Sequence, residues 1–183
     1  MIRDIVLYPD PVLRKATVPV DEVTEEIRQL AADMLETMYE ANGVGLAAPQ
    51  VGVSLRLAVV DVSHDEECVG YLRVNGAEKT IGEVCPITFV NPELKLLGDK
   101  DTDVEGCLSF PELRGEIARP FEVEATLYDL EGEKLVVETD GLFARALQHE
   151  TDHLFGRLFI DRMSSARKTA IRRQLKEMQE QFG

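Results

Sequence analysis

At 183 residues with a formal net charge of −14, the chain has the length of one compact domain and is too acidic for its whole surface to hold nucleic acid non-specifically. A hydrophobic fraction of 44% suits a closed core, and no apolar run approaches the roughly 20 residues that a membrane helix needs. Three widely spaced cysteines (Cys68, Cys85, Cys107) with no C-x-x-C pair argue against a disulfide framework or a zinc ribbon and suit a reducing compartment.

Along the chain, Thr24 is placed to cap a helix running to about Ala41, with Ile27, Leu30, Ala31, Met34 and Met38 recurring on one face. Asn42-Gly43 supplies the stop. The stretch Val44 to Gly52 is small, glycine-punctuated and almost uncharged, so its backbone can approach another group closely. Leu55–Val60 and Ile87–Val90 read as buried strands, and Leu94–Leu97 as a continuation past Pro92. Phe121 to Leu127 alternates strictly, as a half-exposed antiparallel strand does. Lys134–Glu138 is expected to pair with it across Leu130-Glu131-Gly132.

Between the first strands, residues 64–84 are polar and contain Asn75-Gly76, a tight-turn pair; they are expected as a surface excursion, with a hairpin as one form. Leu142–Phe155 is expected as a helix with Leu142, Ala146 and Leu147 inward, and Ser164 or Ser165 caps a last helix to Phe182. From Arg157 onward there are seven basic residues and three acidic ones, so this end carries +4 and the rest −18. Strands in the middle with helices toward both ends predict a single α+β domain over residues 1–183, its antiparallel or mixed sheets packed around the helix that bears the chemistry.

That chemistry begins at His149-Glu150-Thr151-Asp152-His153. Two histidines four apart on a helix project from one face and can share an ion, and Glu150 stands beside them within reach of a water on that ion. The combination reads as a metal-dependent hydrolase in which Glu150 moves protons. Two surface histidines on an ordinary helix are the bland alternative. A third ligand is required. In the extended motif H-E-x-x-H-x-x-G-x-x-H, Gly156 fits, but the last position holds Phe159. Glu177 and Glu180 lie downstream among Lys and Arg, as on a solvated face. Cys107, in Glu105-Gly106-Cys107-Leu108-Ser109, is the upstream candidate, and its thiolate would complete a site with one open position.

Together, Gly43-Val44-Gly45-Leu46-Ala47-Ala48-Pro49-Gln50, Glu105-Gly106-Cys107-Leu108-Ser109 and Gln148-His149-Glu150-Thr151-Asp152-His153 resemble, in order, the three signature motifs of peptide deformylases. Tyr8-Pro9-Asp10-Pro11-Val12-Leu13-Arg14 is similar to that family's N-terminal segment. The resemblance implies Cys107, His149 and His153 as metal ligands, with Fe2+ as the ion and Zn2+, Ni2+ or Co2+ able to take its place. It implies removal of the formyl group from N-formylmethionyl nascent peptides, with Glu150 as proton carrier and the Gln50 amide and Leu108 backbone N–H facing the oxyanion.

The same resemblance has the peptide pairing as a strand near Val44 and Gly45, with Val44, Leu142 and Ala146 walling a methionine pocket; core packing rivals that role for Leu142 and Ala146. Glu105 and Asp152 are expected to brace the site through Arg119 or Arg145, or else to be ordinary surface ion pairs. His64 is expected in solvent and Ser109 on local backbone groups. Residues 64–84 exceed the short connection common in bacterial members. The basic helix resembles an extension that approaches the ribosome, and a solvated helix is its rival. The expected setting is a bacterial cytoplasm, without membrane or sequence-specific nucleic acid as partner. A zinc endopeptidase with a downstream Glu ligand, and a binding module without catalysis, are the competing classes.

Overall fold

The computed structural model describes residues 1–183. After a 3-10 turn at Pro11–Arg14, helix α1 spans Glu25–Glu40 and starts where the Thr24 hydroxyl accepts from the Ile27 N–H, a cap that contributes about 1 kcal/mol. Its Leu30, Ala31, Met34 and Met38 are buried against Leu46, Leu57, Val59 and Val90. The chain then forms β1 (Gly45–Ala47), a 3-10 turn at Ala48–Val51, and β2 (Leu57–Val60). Leu55, expected in the strand, makes only an isolated bridge to Val18.

One sheet contains every strand and is antiparallel throughout, in the order β1-β2, then β5 (Ile87–Cys107), β6 (Phe110–Tyr128), β7 (Lys134–Asp140), β3 (Leu72–Val74) and β4 (Ala77–Glu78). Its spine is a long ribbon of β5 (Ile87–Cys107) and β6 (Phe110–Tyr128). The sequence suggests shorter strands because the outer part of β5 carries Glu93, Lys95, Asp99, Lys100, Asp101 and Asp103, and the ribbon is exposed over much of that length. Register shifts at Val90/Glu93 and Leu97/Lys100 bend it. At the first bend the Asn91 side-chain amide brackets Val20, accepting from its N–H at 2.8 Å and donating to its carbonyl at 2.7 Å.

Residues 64–84 do hold a hairpin, β3 (Leu72–Val74) with β4 (Ala77–Glu78), followed by the single turn α2 (Ile81–Val84). The hairpin is built into the sheet rather than lying on its surface. β3 pairs with β7 (Lys134–Asp140), and Leu72 and Ile81 are buried in the main core. Its polar side chains face outward and conceal those two anchors in the sequence.

Helix α3 (Gly141–Leu154) lies at the centre, with Phe143, Ala144, Ala146, Leu147 and Leu154 packed on Phe89, Val123, Leu127 and Val137. Helix α4 (Ser165–Phe182), capped by Ser164, buries only Ile171 and Met178, which join Leu13, Phe110 and Phe159. No helix is long and apolar enough to cross a membrane.

Candidate metal centre

Two connections bring the candidate ligands together. β5 and β6 reverse over Leu108-Ser109 with Cys107 paired to Phe110, so Cys107 sits at a hairpin tip. The tip is tied to the N-terminal segment, where Tyr8 N–H donates to the Ser109 carbonyl at 2.9 Å and Val6 N–H donates to the Gln50 carbonyl at 2.7 Å. Facing the tip, one turn of α3 presents His149 and His153, their ring centroids 5.1 Å apart. Cys107 Sγ lies 3.3 Å from His153 Nε2. One ligand atom from each of Cys107, His149 and His153 falls within 4.8 Å of the others.

The surroundings favour a cation at that point. Glu105 is buried, which opposes its ionisation, yet His149 and the Arg119 guanidinium hold its carboxyl well below the ordinary range. As a carboxylate it can only accept, so its 2.8 Å contact with His149 Nδ1 makes that nitrogen the donor and leaves the Nε2 lone pair for an ion. Burial works against a positive His149, but Glu150, Cys107 and Glu105 raise its pKa well above the ordinary value. The field that favours a proton there also favours a metal cation. His153 is driven the other way by burial and by the charges of His149 and Arg119, so it stays neutral, as a ligand must. A thiol and two imidazoles that converge without other ligands fit a divalent transition metal.

Glu150 sits beside this group, buried, with Oε1 lacking any hydrogen-bond partner. Burial pushes its carboxyl up to about 7, so it can exchange a proton near neutral pH. Gln50 is buried with its amide fixed in one sense: Oε1 accepts from Ala47 N–H at 3.0 Å. Its Nε2 donates to Ser109 Oγ at 3.2 Å and reaches Cys107 Sγ at 3.5 Å. Leu108 follows Cys107 in the hairpin turn, and its side chain covers Gly43.

The structure therefore brings Cys107, His149, His153, Glu150, Gln50 and Leu108 into one place. Val44 is exposed next to Gly45, whose strand β1 ends the sheet and has a neighbour on one side only. Leu142 is half-buried and Ala146 buried, and both pack on the main core cluster, which is the rival reading for those two residues. The downstream acids do not approach the site: Glu177 pairs with Arg173 at 3.0 Å and Glu180 with Lys176 at 4.0 Å on the exposed face of α4. Phe159, in the ligand place of the extended motif, is buried with its ring 5.9 Å from that of His149. His64 is exposed.

Both arginines weighed from the sequence hold Glu105. Arg119 donates to it through Nε at 2.6 Å and Nη2 at 3.0 Å, and Arg145 through Nη1 at 2.7 Å. Asp152 takes Arg119 Nη1 at 2.9 Å and the fork of Arg162. Sequence reasoning missed the bond that His149 donates to Glu105, the role of Ser109 as acceptor for Gln50, and the grip of Arg162 on Asp152. The first two join distant segments and the third reaches back ten residues from the turn after α3, and no local pattern betrays any of them.

Against known proteins, the model of the family described as Polypeptide deformylase matches residues 2–169. The chain belongs to the peptide deformylase family. It is 43% identical over 178 residues to the peptide deformylase of Methylacidiphilum infernorum, covering 97% of this chain and 93% of the relative. The crystal structure of peptide deformylase from Thermus thermophilus superposes with a TM-score of 0.82 at 37% identity, all of both chains covered. That from Ehrlichia chaffeensis gives 0.83 at 33% identity, covering 99% of this chain and 98% of the other. Members of the family are hydrolases, and the mixed α+β architecture is theirs.

Proposed function

We propose that the chain is a metal-dependent hydrolase that removes the N-formyl group from the N-terminal methionine of newly synthesised polypeptides, releasing formate. The observation that carries the reading is the convergence of Cys107, His149 and His153 within 4.8 Å beside the buried, unpartnered Glu150 carboxylate. On the family resemblance the ion is Fe2+, and Zn2+, Ni2+ or Co2+ suit the same donors. When bound, it supplies Lewis acidity that makes water a nucleophile near neutral pH and polarises the formyl oxygen.

The residues of the chain do the rest. Glu150 accepts a proton as water attacks the formyl carbon and hands it to the departing amine. Gln50 Nε2, held with its donor toward Cys107, and the Leu108 backbone N–H stabilise the oxyanion; losing one such donor costs about 3 kcal/mol of transition-state stabilisation. The open edge of β1 at Val44 and Gly45 receives the extended peptide as an added strand. Val44, Leu142 and Ala146 wall the methionine pocket. The exposed cations of α4 serve as a handle for ribosomal RNA, and the setting is a bacterial cytoplasm.

Protein purified without oxygen should release formate from formyl-Met-Ala-Ser. If none appears with Fe2+ or Ni2+ bound, the reading is wrong.

A further inference from the structure

The turn between α3 and α4, Phe159–Arg162, touches the candidate metal centre in two ways. One is direct, through the Phe159 ring against His149. The other is a series of ion pairs that runs inward from the surface. Arg162 clasps Asp152, with Nε to Oδ2 at 3.1 Å and Nη2 to Oδ1 at 2.8 Å. The same Oδ2 accepts from Arg119 Nη1 at 2.9 Å. Arg119 turns its other donors onto both oxygens of Glu105, and Glu105 Oε1 accepts from His149 Nδ1. Exposure falls over its first three members, from 36% at the Arg162 side chain to 12% at Asp152 and 3% at Arg119, and Glu105 and His149 beyond them stay at 6% and 12%.

We propose that Arg162 is a positioning residue for His149, acting through Asp152, Arg119 and Glu105. This rests on the metal-centre reading above. An exposed Arg–carboxylate pair ordinarily does little, but Asp152 has only Arg162 and Arg119 as charged partners, and Arg162 supplies two of its three contacts. Without Arg162 the carboxylate is free to turn toward water, and Arg119 Nη1 loses a fixed acceptor. Arg145 still holds Glu105 Oε2, so His149 is loosened rather than released. Partners of metal-bound histidines set ligand orientation and basicity, and the effect should reach the ion even from this distance.

A neighbouring pair provides the control. Arg14, from the N-terminal 3-10 turn, meets Asp161 of the same Phe159–Arg162 turn at 2.5 Å with similar exposure, 44% and 37%, and beyond Asp161 the contacts stop at the Leu158 N–H. The test is a Co2+ titration of metal-stripped protein, followed by the thiolate-to-cobalt absorption band. Arg162→Ala should raise the Co2+ dissociation constant about 3–10-fold. Arg14→Ala should leave it within about twofold, although both lose one surface ion pair of comparable weight.

Arg162→Lys, which keeps the charge but not the fork, should fall between. Asp152→Asn should weaken binding at least as much, and adding Arg162→Ala to it should change nothing further. The proposal is overturned if Arg162→Ala behaves as Arg14→Ala does, or if its effect adds in full to that of Asp152→Asn. Should the unaltered protein give no cobalt–thiolate band, the metal-centre reading itself falls, a separate result.

Discussion

The carboxylate of Glu150 lies against the α-carbon of Gly45, and a methyl group built on that carbon would stand 2.8 Å from Glu150 Cδ. The edge strand and the proton carrier are thus packed together, and the absence of a side chain at residue 45 lets both occupy the site. Gly45→Ala should force Glu150 aside while leaving Cys107, His149 and His153 in place. Formate release should drop about 100-fold, the lower end of what a positioned acid–base group contributes, with metal content unchanged. Full activity in that variant would mean that the contact has no part in the reaction.

Glu150→Gln separates proton transfer from metal binding. The amide keeps the shape but cannot take a proton, so kcat should fall about 10²–10⁴-fold. Metal stoichiometry should stay as in the unaltered protein, because Glu150 is not one of the three converging donors. A variant that lost its metal in parallel with its activity would show that Glu150 is a ligand.

How much of this could be read beforehand depends on the range of each signal. The α3 site motif, the Thr24 cap and the Phe121–Leu127 alternation are local patterns, and each marks an element that the structure contains. The local pattern left the third ligand open between Cys107, Glu177 and Glu180, because which of them meets His149 depends on how a hairpin tip and a helix pack. Residues 64–84 looked like surface because their outward residues outnumber Leu72 and Ile81, which anchor them. Nothing within either segment announces that Glu105 accepts from His149, 44 residues on. Buried hydrogen bonds of this kind are decided by tertiary packing alone.

Cys107→Ser tests the ligand set directly. A serine hydroxyl stays protonated where a thiol would be ionised by a bound metal, so it is a poor replacement. Metal affinity should fall at least about 100-fold, judged against the 10–100-fold that partners outside the ligand shell contribute. Glu177→Ala and Glu180→Ala should not alter it. Retained metal in Cys107→Ser, with loss in either glutamate variant, would revive the endopeptidase alternative.

Acid stability should depend on Asp33. The Met1 ammonium, Gln29 and Arg3 hydrogen-bond its carboxylate and, against the opposing effect of burial, lower its pKa from 3.8 to about 2. The folded state therefore binds this proton less readily than the unfolded chain. The resulting stability is complete above about pH 4 and lost as the pH falls toward 2. Denaturant melts of the protein and of Asp33→Asn should differ by a constant amount above that window and converge within it. A difference that persists at pH 2 would assign the effect of the substitution to packing.

The charge on α4 can be tested without disturbing the fold. Deleting residues 165–183 is too blunt, because it strips Ile171 and Met178 from the cluster around Phe110 and Phe159. Lys168, Arg172 and Arg173 are exposed, and only Arg173 has an ion-pair partner, Glu177 on its own helix. Replacing all three with Gln should leave the melting temperature and formate release nearly unchanged, since exposed charges far from the site contribute little to either. If the helix docks on ribosomal RNA, co-sedimentation with ribosomes at low salt should fall, and its dependence on log salt should flatten by about one unit per contact removed. Equal co-sedimentation and an equal salt slope would show α4 to be a solvated helix, held in place by its two buried residues.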